Sequence, residues 1–263
     1  MTWNTIHMIG IGGVGMSGLA LLLHQAGNRV TGYDLSKNYY TQQLERHHIP
    51  ISYTHDAHNG ATADGLIVSA AISPDNPEYA SARARKQPII TRGQALAFMT
   101  QNYANRIIIA GTHGKTTTTS LIIHALRSLA PSYALGATFL ADNTNARHAN
   151  PDYCIIESDE SDGSFLLLDP TIAVITTLDH EHVDYYPDFT AIETAFIQFA
   201  RTALATGWLI LNDDDPHLHR LSRTVLNNNN RIIRYSTAAI AYTQTQDHSV
   251  YTHDAGQIQL PLL

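Results

Sequence analysis

The sequence predicts an α/β protein built from two doubly wound units, and three observations carry that prediction. Short apolar runs alternate with helical patterns along the first part of the chain, as expected of βα units on a mainly parallel sheet. A glycine-rich turn, Gly10-Ile11-Gly12-Gly13-Val14-Gly15, joins the first apolar run to the first helical pattern. A second strand–loop–helix passage opens the second unit: Ile107-Ile108-Ile109-Ala110, then Gly111-Thr112-His113-Gly114-Lys115-Thr116-Thr117-Thr118-Thr119. The expected division is residues 1–102 and 103–263, with a linker near 100–106.

In the first unit, Ile6-His7-Met8-Ile9 reads as a short buried-type strand and 17–25 as a helix stopped by Gly27. A strand over 29–33 closes on Asp34, followed by a helix over 40–47 and a strand over 66–68. Ser73-Pro74-Asp75-Asn76-Pro77-Glu78 opens a helix reaching residue 85, and Pro88-Ile89-Ile90 is the next strand. In the second unit, strands are expected over 106–110, 153–156, 172–176 and 208–211, with helices over 117–129, 191–205 and 216–224. The four-asparagine run at 227–230 reads as a solvated loop.

Composition narrows the classes open to the chain. At 263 residues, 44% hydrophobic and 15% charged, it has the material for a sizeable globular core. A net charge of −7 argues against nucleic acid or an anionic membrane as the main partner. Cys154 is the single cysteine, so no internal disulfide forms and a reducing cytoplasm fits. The uncharged stretch 6–23 imitates a membrane or signal segment, but it lacks a basic leader. Its glycines at 10, 12, 13, 15 and 18 suit a turn instead.

The passage around Lys115 has the order that a nucleotide phosphate needs. Backbone N–H groups of the loop and helix start face the anion, Lys115 adds a positive charge, and the Thr116 hydroxyl suits a Mg²⁺ ion. The general phosphate-loop pattern asks for glycine at position 109, where this chain has Ile109. Two other apolar strands end in reactive residues: 153–156 runs into Glu157-Ser158-Asp159-Glu160-Ser161-Asp162, and 172–175 runs into Asp179-His180-Glu181-His182. In a parallel sheet these loops emerge at one edge, where open α/β sheets bind ligands. Lysine, hydroxyl, carboxylates and imidazole then converge on one crevice, a set suited to Mg²⁺–ATP. The glycine turn at 10–15, with Asp34 ending the second strand, fits a dinucleotide such as NAD, although any nucleotide diphosphate suits such a helix start.

Five ordered segments together resemble the Mur ligases over essentially the whole chain. They are the glycine turn with its flanks (6–18), Asp75-Asn76-Pro77-Glu78, the passage 110–117, Glu157 through Phe165, and Glu181-His182-Val183-Asp184-Tyr185-Tyr186. His113 in the phosphate loop and Asp159-Glu160-Ser161-Asp162 point to the alanine-adding branch, with the ligase that recycles whole muropeptides as the nearest competitor. The resemblance implies a Rossmann-like first unit that holds UDP, with Gly12, Gly13, Val14 and Gly15 against the diphosphate and His55 and Asn59 assisting. NAD becomes the runner-up. It implies a P-loop ATPase-like second unit, with Gly111, Thr112, His113, Gly114, Lys115, Thr116 and Thr117 around ATP.

The implied reaction is peptidoglycan precursor synthesis: ATP phosphorylates the lactyl carboxylate of UDP-N-acetylmuramate, and L-alanine attacks the acyl phosphate. Lys115, Glu157 and His182 are the implied catalytic residues. Thr116 is implied to hold one Mg²⁺, and Glu157 with His182 a second. Three departures stand out: Thr177 where the family has Asn, Gly136-Ala137 for Gly-Gly, and Ala70-Ala71-Ile72 for Ser-Ala-Ile. The family also continues into a Gly-x-His-Asn segment and a C-terminal domain. The resemblance therefore implies an incomplete central domain, weak or absent ligation by this chain alone, and an apolar sheet surface in need of cover. A separate chain supplying the missing domain, or a remnant that binds UDP-sugar or ATP without ligation, are the corresponding alternatives.

Overall fold

The computed structural model describes residues 3–182, 184–226, 229–237, 241–244, 248–253 and 256–261. Its first sheet contains β1 (Thr5–Ile9), β2 (Arg29–Tyr33), β3 (Ile51–Ser52), β4 (Gly65–Val68) and β5 (Ile89–Thr91). These pair in parallel in the order β3-β2-β1-β4-β5. The strand order reverses between β1 and β4, and the glycine turn leaves β1 at that reversal to enter α1 (Val14–Gln25). Three more helices follow: α2 (Tyr39–Arg46), α3 (Pro77–Ala84) and α4 (Arg92–Thr100).

The second sheet contains β6 (Asn105–Ala110), β7 (Pro131–Phe139), β8 (Thr144–Arg147), β9 (Asn150–Glu157), β10 (Ile172–Ile175), β11 (Trp208–Asn212) and β12 (Ile232–Tyr235). Their order is β12-β11-β10-β6-β9-β7-β8, parallel throughout except for the β7–β8 hairpin. Its helices are α5 (Lys115–Ala125), α6 (Phe189–Thr206) and α7 (Pro216–Arg220). A small antiparallel sheet of β13 (Ala241–Gln244), β14 (His248–His253) and β15 (Gly256–Pro261) follows.

Several elements correct the sequence expectations. The linker shrinks to 101–104, because α4 runs to Thr100 and β6 starts at Asn105. The helix expected over 117–129 starts at Lys115 and ends at Ala125, with a separate tight turn over Arg127–Leu129. Strands β3, β7, β8, β12 and the small sheet were not anticipated. Val183 of the fifth resembling segment, and Asn227 and Asn228, lie outside the described residues. No helix among the described residues is long and apolar enough to cross a membrane.

The membrane-like stretch 6–23 has a different physical explanation. Met16, Leu19, Ala20, Leu21, Leu22 and Leu23 are all buried, because α1 packs on its own sheet and also against β7 and β8 of the second. A helix covered on two sides is apolar all round. Asn145 on β8 makes the polar connection, donating from Nδ2 to the Val14 carbonyl at 2.8 Å and to Ser17 Oγ at 3.0 Å. One contiguous core therefore includes Met8 and Leu22 from the first unit and Ile108 and Phe199 from the second.

The Asp75-Asn76-Pro77-Glu78 segment also has a structural role. Asn76 caps α3, Pro77 occupies its first turn, and the fully buried Glu78 lies 2.9 Å from His7 Nε2 and accepts from Asn59 at 2.7 Å.

Asn145→Ala removes the donor shared by Val14 and Ser17. It is expected to destabilise the protein by about 1–3 kcal/mol, read as a lower urea midpoint; an unchanged midpoint contradicts the clamp. Cys154 is fully buried on β9, and burial pushes its thiol up to about 12. Iodoacetamide should leave it unmodified at mildly alkaline pH until denaturant opens the core, and rapid native alkylation would contradict this packing.

Candidate functional site

The loop after β6 is held in place by the end of β10. Gly111 has φ of +134°, and a Cβ there would sit 2.2 Å from Thr176 Oγ1, so no other residue fits. Thr176 Oγ1 donates to the His113 carbonyl at 2.6 Å. The Thr177 carbonyl accepts from Thr112 N–H at 3.0 Å, and Thr177 Oγ1 accepts from His113 N–H at 2.8 Å. Thr177 therefore binds the loop through both backbone and hydroxyl. Ile109, where the general pattern asks for glycine, is a fully buried strand residue packed with Ile107 and Val174. The loop is simply shorter than that pattern requires.

The N–H groups of Thr112 and His113 are thus committed within the protein. Gly114 caps α5 with φ of +79° and no side-chain hydrogen bond. The N–H groups of Lys115, Thr116 and Thr117 have no acceptor within the helix and form an anion-binding end.

Lys115 Nζ folds over its own loop, donating to the carbonyls of Gly111 at 2.6 Å and Thr112 at 3.2 Å. It also lies 3.0 Å from Oε1 and 2.9 Å from Oε2 of Glu160. Glu160 is completely buried, and its Oε1 is 3.0 Å from His182 Nε2. Tyr186 donates its hydroxyl to the Glu160 carbonyl, and burial first, then neighbouring Tyr185 and carboxylates, push its phenol well above the usual range.

Glu157 lies in a different contact set. Its Oε1 accepts from Thr116 Oγ1 at 2.8 Å and its Oε2 from Gly136 N–H at 2.7 Å. A Cβ at Gly136 would come within 2.7 Å of that carboxylate, whereas the neighbouring departure, Ala137, is tolerated. The resemblance implied Thr116 at one ion and Glu157 with His182 at another; in the structure Thr116 hydrogen-bonds Glu157, and His182 lies beside Glu160, which the sequence reading left without a role.

The glycine turn is likewise tied down internally. Gly10 and Ile11 donate to the Tyr33 carbonyl, Gly13 donates to the Gly10 carbonyl, and Gly12 N–H reaches Asp34 Oδ2 at 2.7 Å. Asp34 also accepts from Ser36 N–H at 3.3 Å. The acid that a dinucleotide reading reserves for ribose is therefore engaged in holding the turn. Gly13 caps α1 without a side-chain hydrogen bond, leaving the N–H groups of Val14, Gly15 and Met16 as the anion-binding end.

Both helix ends open on one cavity of about 580 Å³. Gly13, Val14 and Gly15 line it from the first unit, and Thr112, Lys115, Glu157 and His182 from the second. Arg92, at the start of α4, also lines it. Its Nη1 would be 3.2 Å from a Cβ on Gly15, and its Nη2 reaches Ser164 Oγ at 3.5 Å. Asp159 and Asp162 complete the acidic wall. Burial opposes ionisation of Asp159, but hydrogen bonds that it accepts from Ser161, together with the positive charges of Lys115 and Arg92, outweigh it and hold the carboxyl below its usual range.

His55 and Asn59 do not join that cavity. The His55 ring lies 4.4 Å from that of Tyr33 and its Nε2 is 2.8 Å from the Tyr33 hydroxyl, while Asn59 binds Glu78. Asn59 borders a separate cavity of about 530 Å³ with His7, Arg29 and Thr31. Sequence reasoning missed Arg92 and Glu160. Thr91 and Gln94 form a capping box that was legible as the start of α4; no periodic signal distinguishes Glu160 within its loop.

Comparison with known proteins agrees with this fold. The sequence profile described as "Mur ligase family, catalytic domain" matches residues 5–104, and "Mur ligase middle domain" matches 109–261. UDP-N-acetylmuramate–L-alanine ligase of Azoarcus sp. (strain BH72) is 40% identical over 245 residues, covering 92% of this chain and 52% of that protein. The Aquifex aeolicus protein of the same name is 39% identical over 243 residues, covering 92% and 53%. The chain thus spans about half the length of these curated relatives. The crystal structure of UDP-N-acetylmuramate-alanine ligase from Thermotoga maritima superposes with a TM-score of 0.83 at 25% identity, covering 98% of this chain and 61% of that one. A ligase structure from Neisseria meningitides, at 24% identity and a TM-score of 0.83, shares the fold, covering 98% and 87%.

Thr177→Val deprives His113 N–H of its acceptor and is expected to cost about 1–2 kcal/mol in chemical denaturation. Thr177→Ser keeps the hydroxyl and should lose less than half of that. Equal losses would show that the methyl group contributes as much as the hydroxyl, and no loss in Thr177→Val would remove the hydroxyl's role in holding the loop.

Proposed function

The chain belongs to the Mur ligase family, and from that premise we propose that it supplies the sugar-nucleotide and ATP sites for joining L-alanine to UDP-N-acetylmuramate. The observation that carries this reading is the single cavity lined by two uncapped helix ends from different sheets. Two anionic groups meet there, as transfer of a phosphoryl group from one nucleotide to the substrate part of another requires. The names of the relatives supply the substrates.

At the first end, the N–H groups of Val14, Gly15 and Met16 face the UDP diphosphate, and Arg92 adds a full charge beside Gly15. At the second, the N–H groups of Lys115, Thr116 and Thr117 hold ATP phosphates, and Lys115 turns its ammonium to the transferring phosphoryl group. Such transfers depend on positioning and on neutralising charge, with little covalent work for the protein. The lactyl carboxylate oxygen attacks the γ-phosphorus, giving an acyl phosphate and ADP. The alanine amine then attacks the acyl carbon, loses a proton and expels phosphate.

The donor set also fits Mg²⁺. Thr116 Oγ1 and Glu157 Oε1 are 2.8 Å apart, close to the separation of about 2.9 Å between adjacent oxygens in an octahedral Mg²⁺ shell. Thr116 and Glu157 would hold such an ion, which would supply positive charge beside the ATP phosphates. A nicotinamide cofactor is the weaker reading, because Asp34 is turned to Gly12 and Ser36.

Calorimetric titration should show Mg²⁺-dependent ATP binding that Lys115→Ala weakens by at least about tenfold, the loss of one charge-assisted contact of about 1.5–3 kcal/mol. UDP-N-acetylmuramate should bind and NADH should not. Unchanged ATP affinity in the variant removes the phosphate-loop assignment, and preference for NADH favours an oxidoreductase. Ligation assayed with and without a relative's C-terminal domain added as a separate chain distinguishes a ligase component from a binding protein. Product that depends on the added domain identifies the component, and absence of product in both arms favours the binding protein.

A further inference from the structure

The cavity of about 530 Å³ beside Asn59 shares no lining residue with the phosphate cavity among the described residues. Thr5 and Arg29 are the first residues of β1 and β2 and stand opposite one another, as do His7 and Thr31 two residues on. Side chains alternate along a strand, so these four project from one face of the sheet. Further along that face, Ile9 and Tyr33 pack with Leu66 of β4 and Ala82 of α3 in an apolar cluster. The face is thus apolar where α3 covers it. It is polar where the cavity opens, at the strand ends remote from the glycine turn.

The walls of this cavity are fixed within the protein. His7 is buried, with Nδ1 2.8 Å from Thr31 Oγ1 and Nε2 2.9 Å from the buried Glu78. Gly60 has φ of +68°, and a Cβ there would fall 2.6 Å from the His7 ring, so the loop over 58–63 is pressed onto the imidazole. Gln87 secures that loop by donating from Nε2 to the carbonyls of Gly60 and Ala63. Donors remain for a guest. Among the described residues, neither the Arg29 guanidinium nor the Thr62 hydroxyl has a hydrogen bond or ion pair. Thr5 Oγ1 accepts from the Asp64 N–H at 3.0 Å, which leaves its own proton to donate. No Asp or Glu among the described residues lines the cavity.

A planar cation with five donors and no carboxylate beside it suits the oxygens of a phosphate. The volume lies in the range of small-molecule sites, about 300–1,000 Å³, and an inorganic anion would leave most of it empty. We propose that this cavity is a second ligand site that takes a sugar phosphate, with Arg29 on the phosphate and Thr5 and Thr62 on sugar hydroxyls. The proposal is independent of the ATP and UDP reading, since the two cavities lie at opposite ends of β1.

Ligand-observed NMR titration of the full chain with glucose 1-phosphate tests this, with inorganic phosphate and glucose as separate arms. Glucose 1-phosphate should bind saturably and at least about tenfold more tightly than either fragment, because it alone engages both the cation and the hydroxyls. Arg29→Gln should weaken it at least about tenfold, the loss of one charge-assisted contact. Thr62→Val should weaken it about fivefold, the loss of one neutral hydrogen bond. Both side chains are exposed, so the fold does not depend on them. Lys115→Ala should leave this affinity unchanged. A loss in Lys115→Ala with none in Arg29→Gln places the ligand in the phosphate cavity and overturns the proposal. Absence of saturable binding, or equal affinity for inorganic phosphate and glucose 1-phosphate, also overturns it.

Discussion

The burial of α1 between two sheets is the constraint on which the rest of this structure depends. Each large apolar side chain so buried stabilises the fold by about 1.5–3 kcal/mol, and α1 presents Met16, Leu19, Leu21, Leu22 and Leu23 in this state. Units joined by a short linker ordinarily move against each other. Here their core is continuous, and Asn145 fixes the register of α1 by binding the carbonyl of its first residue. The end of α1 that faces the cavity is therefore positioned by the sheet that bears Lys115, as well as by its own.

The sequence was most informative where a strand is buried on both faces. Ile107-Ile108-Ile109, Cys154-Ile155-Ile156 and Ala173-Val174-Ile175 are continuous apolar runs, and all three became central strands. Strand β8 forms the sheet edge with β7 beside it, and the two carry polar residues such as Ser132, Thr144 and Asn145, so no run announces them. Helix α4 has a capping box but a mixed face, Arg92-Gly93-Gln94-Ala95-Leu96, and its signal was local. In the site, the loops that bear the reactive residues were legible because each follows a strand end. The pairing inside those loops was not. Glu157 ends a strand, while Glu160 and His182 are positioned by irregular backbone with no period from which a direction can be inferred.

The use of backbone N–H groups explains why the two glycine-containing turns act differently from their usual description. In both, the first N–H groups are consumed internally: Gly12 by Asp34, and Thr112 and His113 by Thr177. The turns are thereby rigid before any anion arrives. Only the first helical turn beyond each cap remains to meet a phosphate, and that turn is where the helix dipole is concentrated. Rigid donors need no reorganisation when charge develops, which is the condition under which they contribute most.

The two glutamates near Lys115 sit in opposite surroundings. Glu157 is half-buried at the cavity wall and bound by a hydroxyl and an N–H, both neutral donors. Glu160 is fully buried and faces Lys115 and His182. Removing a carboxylate completely from water costs several kcal/mol unless a positive partner remains beside it. Any movement of Lys115 toward a phosphate therefore leaves Glu160 in need of another cation, and His182 alone offers that only when protonated. The position of Lys115 over its own loop is in this way tied to the burial of a single carboxylate.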